Sequence, residues 1–259
     1  MLTRPESRYV LLDELAAGPH ASVYRGMDRA DGSDVVVKIF ADSRADQILT
    51  EARAAVRLQH PNIRGPKDLL LLDRPWLILD HVTGESLQDL LDRQDCVDVS
   101  VACFWTWQLL DGLMALWRTG LVHHDVKPAN IVIRDGLTPV LVDLGSCLAL
   151  DSSAPPISTP AFTAPELLRG GAASPASDLY SLALCLFWMV AGRHPFAEHH
   201  GSSQAMLAAH RDEHPAELRS CRPGVPRGLS RRVARCLHKE PTARPTAVAL
   251  RRTLEAACR

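Results

Sequence analysis

The sequence predicts an α+β chain in which a small β-rich lobe with one major helix precedes a larger, mainly helical lobe. Three observations carry that expectation. Residues 9–40 hold three short strand-like runs separated by turn residues. Residues 44–58 carry one helical apolar stripe through Ile48, Ala52, Ala55, Val56 and Leu58. Beyond Ser86 the apolar runs lengthen into segments suited to buried helices.

Taken in order, "RYVLLDEL", "SVYRGMD" and "DVVVKIF" read as strands, and Ala30-Asp31-Gly32-Ser33 supplies a turn between the last two. His60-Pro61-Asn62 stops the helix over 44–58, because a residue before proline is driven out of the α region. "DLLLLD" and "PWLILDHV" read as an antiparallel pair turning at Arg74-Pro75. "SLQDLLDR" is a short helix, and "SVACFWTWQLLDGLMALWRTG" a core helix ending at Gly120. "NIVIR" and "PVLVD" are strands. Residues 145–176, rich in Ser, Pro and Ala, lack helical periodicity and read as a long segment ordered on demand. "SDLYSLALCLFWMVAG" is a second buried helix, and two or three more complete the chain.

Composition narrows the function classes. At 259 residues the chain can bury a substantial core, and its 46% apolar and 23% charged content is that of a globular protein. A net charge of −1 argues against a general binder of nucleic acid or anionic membranes. The pairs Arg231-Arg232 and Arg251-Arg252 read as solvated helix faces. No transmembrane run of about 20 apolar residues is read, and "MLTRPESRYV" has no apolar signal core. Seven cysteines without a C-x-x-C read as reduced, mostly buried thiols in a cytoplasmic protein.

The chemistry concentrates in "LVHHDVKPANIVI", residues 121–133. Apolar flanks grip a loop that presents a carboxylate, an ammonium and a carboxamide at Asp125, Lys127 and Asn130. "VDLG" follows at 142–145, with Asp143 at a strand end before a tight exit. Asn130 and Asp143 suit Mg²⁺, a hard cation that shares oxygen ligands with phosphates. Asp125 is then placed to orient a hydroxyl nucleophile and Lys127 to neutralise a transferring phosphoryl group. Phosphoryl transfer depends on such positioning and charge stabilisation more than on covalent help.

These residues resemble the protein kinases of the Hanks (eukaryotic-like) superfamily. "HHDVKPAN" resembles the catalytic loop H-R-D-L-K-P-x-N, "DLG" the Mg²⁺-binding D-F-G, and "VVVK" the strand lysine motif V-A-I-K. Glu51, nine residues before His60, matches the glutamate that holds Lys38. "STPAFTAPE" resembles the end of the activation segment, and Arg244 in "TARPT" the arginine that pairs with its glutamate, Glu166. The match runs from about Tyr9 to Leu254. It implies the bilobal protein-kinase fold as a single domain over 1–259, with an N-lobe to about residue 80, a hinge at about 80–84 and a C-lobe beyond.

The resemblance further implies ATP in the cleft, with Mg²⁺ (or Mn²⁺) on Asn130 and Asp143. Gly18, Val23, Lys38, Leu79, Asp80 and Val82 would line the nucleotide, Leu79 as gatekeeper and Asp80–Val82 as hinge. Lys127 and Thr159 point to the serine/threonine branch, and the compact wording to a bacterial origin. Protein hydroxyls are the implied substrates. The first strand lies near Met1 and the last helix near the C-terminus, so regulation is expected from a partner protein. The oligomeric state is not legible.

Other readings compete at single positions. Lys38 alone is a strand lysine snorkelling from an apolar run, and Glu51 alone a solvated helix charge. His123 reads as a core-facing structural histidine, and Asp178 as a buried anchor for the catalytic-loop backbone. His210 to His214 spells H-x-x-E-H, a zinc pattern. Pro215 disfavours helix at His214, so a surface helix is the better reading. His199-His200 reads as loop.

Two departures matter. "LAAGPHASVY" stands where the family carries a glycine-rich phosphate loop: only Gly18 is kept, Ala16 and Ala21 replace glycines, and Pro19 lacks an N–H. A weaker phosphate grip is expected. A nucleotide-binding scaffold with little turnover is therefore the alternative reading, and a kinase-like small-molecule phosphotransferase a further one. His124 replaces the arginine that receives an activation-segment phosphate in regulated kinases.

Overall fold

The computed structural model describes residues 8–18, 21–41, 58–94, 96–153 and 159–258. The helix expected over 44–58 and its Glu51 lie outside them, apart from Leu58, which is buried. Five strands open the described chain: β1 Tyr9–Ala17, β2 Ala21–Asp28, β3 Asp34–Phe40, β4 Pro66–Leu71 and β5 Pro75–Asp80. They pair antiparallel in the order β1-β2-β3-β5-β4. Strand side chains alternate faces. Val35, Val37 and Ile39 therefore join Tyr9, Leu70 and Ile78 in the sheet's own core, and Lys38 falls on the opposite face. The turn between β4 and β5 spans Leu72–Arg74, with Pro75 already in the strand, one step from where the sequence set it.

The remainder is mainly helical. Strand β6 (Glu85–Ser86) leads into α1 (Leu87–Arg93), followed by α2 (Val99–Arg118) and β7 (Leu121–Val122). Strands β8 (Ile131–Arg134) and β9 (Thr138–Leu141) complete a small sheet, β6-β8-β9, and β10 (Leu148–Ala149) pairs with β7. Then come α3 (Pro165–Leu168), α4 (Pro175–Ala191), α5 (Ser203–Asp212), α6 (Leu218–Cys221), α7 (Arg227–Cys236) and α8 (Ala247–Ala257).

Local chemistry sets these helix ends. Ser86 and Asp98 accept from backbone N–H groups in the first turns of α1 and α2. Ser174 and Ser177 form a reciprocal capping box on α4. Gly192 closes α4 at φ 71°, a left-handed conformation open to glycine.

Three expectations change. Four helices rather than two or three follow α4 among the described residues, since α6 is a single turn with no periodic stripe to betray it. Residues 159–176 hold a fixed turn, α3 and the start of α4, set by tertiary contacts rather than by periodicity. Helix α2 is, by length and composition, apolar enough to cross a membrane, contrary to the sequence reading. Its Ala102, Cys103, Leu109, Leu110, Leu113 and Leu116 nevertheless sit in the main core, which also contains Leu182, Leu184 and Leu186 of α4.

The arginine pairs are only half solvated. Arg232 donates to Thr253 between α7 and α8, and Arg251 pairs with Asp111 and Glu255 and lies over the Trp107 ring. Four of the cysteines are buried, and among the described residues no disulfide forms.

The His60–Arg64 stretch fastens the five-stranded sheet to the helical part. Asn62 Nδ2 donates to Pro139 O at 2.8 Å and to Gln108 Oε1 at 3.1 Å. Leu141 N donates to Asn62 O at 2.9 Å, and Arg64 N to Leu141 O at 2.8 Å. Strand β9, which ends two residues before Asp143, is thereby held against the other lobe.

Candidate active site

The catalytic-loop geometry starts from one buried carboxylate. Asp178, near the start of α4, is 1% exposed. Its Oδ2 accepts from His123 N at 2.8 Å and Trp117 Nε1 at 2.8 Å, and its Oδ1 accepts from His124 N at 2.9 Å. Two successive N–H groups on one carboxylate bend the chain sharply, and His124 takes φ 66°, uncommon for a residue with a Cβ. His123 is fully buried, and among the described residues neither ring nitrogen has a hydrogen-bond partner. Burial lowers its proton affinity and likewise that of His124, whose Nδ1 is also unpartnered.

Beyond that bend, a single 3₁₀ turn, Pro128–Asn130, returns the chain to β8 and brings the polar side chains together. Lys127 Nζ lies 2.7 Å from Asp125 Oδ2. Asn130 Nδ2 donates to Asp125 Oδ2 at 2.9 Å and to Asp125 O at 3.0 Å. Thr159, from a different stretch of chain, donates to Asp125 Oδ1 at 2.9 Å and accepts from Lys127 Nζ at 2.9 Å. Asp125 is thus a carboxylate fixed on both oxygens, with a cation at its side and a hydroxyl before it.

From strand β3, Lys38 Nζ donates to Asp143 Oδ1 at 3.2 Å, and Gly145 N donates to the same oxygen at 2.9 Å. Burial alone would raise the Asp143 carboxyl, but the Lys38 ammonium and the Gly145 N–H outweigh it and hold the group below its usual range. A Cβ on Gly145 would run into Lys38 Nζ and press on Asp143 Oδ1, so a side chain here would displace the Lys38–Asp143 pair. Within the described residues the partner of Lys38 is therefore Asp143. The Glu51 pairing lies outside them.

Asn130 uses its amide nitrogen internally, which reserves its carbonyl oxygen. Asp143 spends Oδ1 on Lys38 and Gly145, which reserves Oδ2. This pair of oxygen donors fits a hard divalent cation such as Mg²⁺.

The loop between β1 and β2 is closed by Gly18 N donating to Ala21 O at 3.0 Å, with Ala17 opposite Ser22. Ala16 and Ala21 lie inside paired strands, and neither takes a positive φ. The alanines therefore fit without strain, and Pro19 lies outside the described residues. Val23 faces Lys38 across the β2–β3 ladder, and Leu79, 5% exposed, faces Val36 across β3–β5. Asp80 is exposed and Val82 half-buried just beyond β5.

The segment from Thr159 to Glu166 is held along its length. Glu166 receives both arms of Arg244, at 2.7 Å on Oε1 and 2.6 Å on Oε2. Arg244 also donates to the carbonyls of Ala176 and His238 and lies 4.9 Å from the Tyr180 ring centroid. The H-x-x-E-H pattern does not assemble. Helix α5 ends at Asp212, His214 is exposed, and Glu213 instead meets His199, which sits in a 3₁₀ turn, at 3.0 Å. The surface-helix reading also fails for His210, which is 0% exposed.

His194 and His210 were not singled out by sequence as parts of the site. The signal available was weak: His210 follows Met206 at helical spacing on the apolar face of α5. Both rings reach the Ala161 carbonyl, His194 Nε2 at 2.8 Å and His210 Nε2 at 3.0 Å.

Comparison with known proteins gives the family. Residues 9–254 match the family described as "Protein kinase domain". The chain is 30% identical to serine/threonine-protein kinase PkaA of Streptomyces coelicolor over 96% of this chain and 49% of that protein. It is 32% identical to serine/threonine-protein kinase PknL of Mycobacterium tuberculosis over 97% of this chain and 66% of that protein. Serine/threonine-protein kinase PkaB of Streptomyces coelicolor is 31% identical over 92% of this chain and 60% of its own length. The chain thus spans from about half to about two thirds of the length of these relatives. It belongs to the protein kinase domain family, with bacterial Hanks-type serine/threonine kinases among its relatives.

Proposed function

We propose that this chain is a catalytic domain that transfers the γ-phosphoryl group of ATP to a serine or threonine hydroxyl of a protein. The observation that carries the reading is the fixed group of Asp125, Lys127, Asn130 and Thr159, joined through Val142 N on Asn130 O to the chain that bears the Lys38–Asp143 pair. Asp125 orients the incoming hydroxyl and takes its proton, while Lys127 offsets charge on the group in transit. Lys38, for which Glu51 is the expected ion-pair partner, sets the α- and β-phosphates, and Gly18, Val23, Leu79, Asp80 and Val82 line the nucleotide. Asn130 and Asp143 would hold Mg²⁺ (or Mn²⁺), which when bound neutralises phosphate charge.

The division into an N-lobe to about residue 80, a hinge at 80–84 and a C-lobe to 259 belongs to the same proposal. Cytoplasmic action and control by a partner protein also belong to it. Nothing in the comparisons supports the nucleotide-binding scaffold that the altered loop raised.

The test is incubation of purified protein with Mg²⁺-ATP and a panel of protein substrates, with phosphosites read by mass spectrometry. Phosphoserine or phosphothreonine in the wild type, absent with Asp125→Ala, is the expected result. A wild type that labels nothing across the panel overturns the proposal.

A further inference from the structure

Residues 159–162 have every main-chain carbonyl occupied. Thr159 O accepts from Phe162 N at 3.2 Å and Thr163 Oγ1 at 2.8 Å, and Pro160 O from Thr163 N at 3.4 Å. Phe162 O accepts from Ser181 Oγ at 2.7 Å. Ala161 O stands apart, because both its acceptors' worth of lone pairs go to imidazoles from two other elements.

Geometry fixes the tautomers. A carbonyl only accepts, so each Nε2 carries a hydrogen. His194 Nδ1 then accepts from Phe196 N at 3.1 Å, and His210 Nδ1 accepts from the Tyr180 hydroxyl at 2.8 Å. Every ring nitrogen is used, with both rings neutral. The rings are locked by aromatic edges: Phe162 and Trp188 against His194 at 5.5 and 5.9 Å, and Phe196 against His210 at 4.9 Å.

The same segment walls a surface groove of about 350 Å³, lined among others by Thr159, Ala161, Phe162, Trp188, His200 and Met206. It begins at the residue whose hydroxyl touches Asp125. A protein segment seated in it would bring its hydroxyl to Asp125.

We infer that His194 and His210 are positioning residues that clamp the Ala161 carbonyl and so hold the groove in the shape that receives the protein substrate. Their hydrogen bonds go to Ala161, Phe196 and Tyr180, not to Asp125 or Lys127. The inference rests on the kinase reading above for the identity of what enters the groove. The clamp itself is a property of the loop.

The experiment compares wild type with two paired variants. The pair His194→Phe with His210→Phe keeps ring volume and removes both donors. The pair His194→Gln with His210→Gln keeps an N–H donor near each Nε2 position. In the phenylalanine pair, KM for the protein substrate rises fivefold or more while KM for ATP stays within twofold, and the glutamine pair recovers most of the loss.

Hydrogen exchange supplies the second readout. The amides of Phe162 and Thr163 exchange at least tenfold faster in the phenylalanine pair than in the glutamine pair. Equal exchange in the two pairs overturns the clamp. Faster exchange with an unchanged substrate KM overturns its role in positioning. A wild type that transfers no phosphate overturns the catalytic reading and with it the substrate role, while the exchange arm still decides the clamp.

Discussion

Thr159 donates its hydroxyl hydrogen to Asp125 Oδ1 at 2.9 Å, which ties the segment before α3 to the loop after β7. Its oxygen also accepts from Lys127 at 2.9 Å, so one hydroxyl keeps carboxylate and ammonium in register. Thr159→Val removes the hydroxyl and keeps the shape. The expected result is a tenfold or greater fall in initial rate on an added substrate, about 1.4 kcal/mol of barrier. Thr159→Ser, which restores the hydroxyl, stays within threefold of wild type. A valine variant as fast as wild type would remove Thr159 from the site.

Lys38 of β3 and Asp143 beyond β9 pair with each other, and neither belongs to a hydrophobic core. Lys38→Met and Asp143→Ala therefore lower phosphoryl transfer by at least a hundredfold, about 2.7 kcal/mol, while melting temperatures hold within a few degrees. Normal phosphate incorporation by either folded variant would show that the pair does not serve the chemistry.

The candidate site was largely legible because its residues are local: Asp125, Lys127 and Asn130 lie within one short loop, and Asp178 accepts from two backbone N–H groups at its start. Strand β3 was legible residue by residue, since Val35 to Phe40 is a continuous apolar run broken only by Lys38. What escaped was made by contacts distant in sequence. Helix α3 is four residues long, with no period to detect, and Glu166 is held from 78 residues away. His210 looked like part of a zinc pattern because the chain gives no hint that Tyr180 and Ala161 stand against it.

Glu166 and Arg244 form a buried, two-pronged pair. Removing one partner strands the other charge, so Glu166→Ala and Arg244→Ala each cost about 3–5 kcal/mol. The double variant costs well under the sum, because no lone charge is left. Urea denaturation of the four proteins measures this. Additive losses would mean that the two groups act independently.

Acid should weaken the fold through His194 and His210, held by burial at pKa values of about 4 and about 3. Neighbouring basic groups reinforce the effect, His200 beside His194 and His194 and Lys239 beside His210, while the Ala161 carbonyl on each Nε2 opposes it. Unfolded histidine binds a proton near pH 6.5, so the unfolded state holds more protons and stability falls as pH drops from about 6.5 towards 4. Each histidine accounts for about 2 kcal/mol at pH 5. The difference in denaturation free energy between pH 7 and pH 5 should shrink when both are replaced by glutamine. An unchanged difference would place the acid sensitivity elsewhere.

The last expectation concerns control. A regulated kinase of this type reads an activation-segment phosphate with an arginine, a permanently charged and forked partner. Here the position is His124, which burial keeps less basic than free histidine and whose Nδ1 has no partner. Near neutral pH it carries no charge and offers no fork. Residues 151 and 152 are held by other means. Asp151 N donates to Ala173 O and Ala173 N to Ser152 O, each at 3.0 Å, and Ser152 Oγ donates to Ala149 O at 2.7 Å. Ser152 is thus engaged within its own turn, while Ser158 lies outside the described residues. Phosphorylation of Ser152, Ser153 and Ser158 should then be dispensable. With all three made alanine, and folding checked, initial rates on an added substrate should stay within about twofold of wild type, well under 1 kcal/mol of barrier. A tenfold loss restored by acidic replacements would show a phosphate switch that works without the arginine.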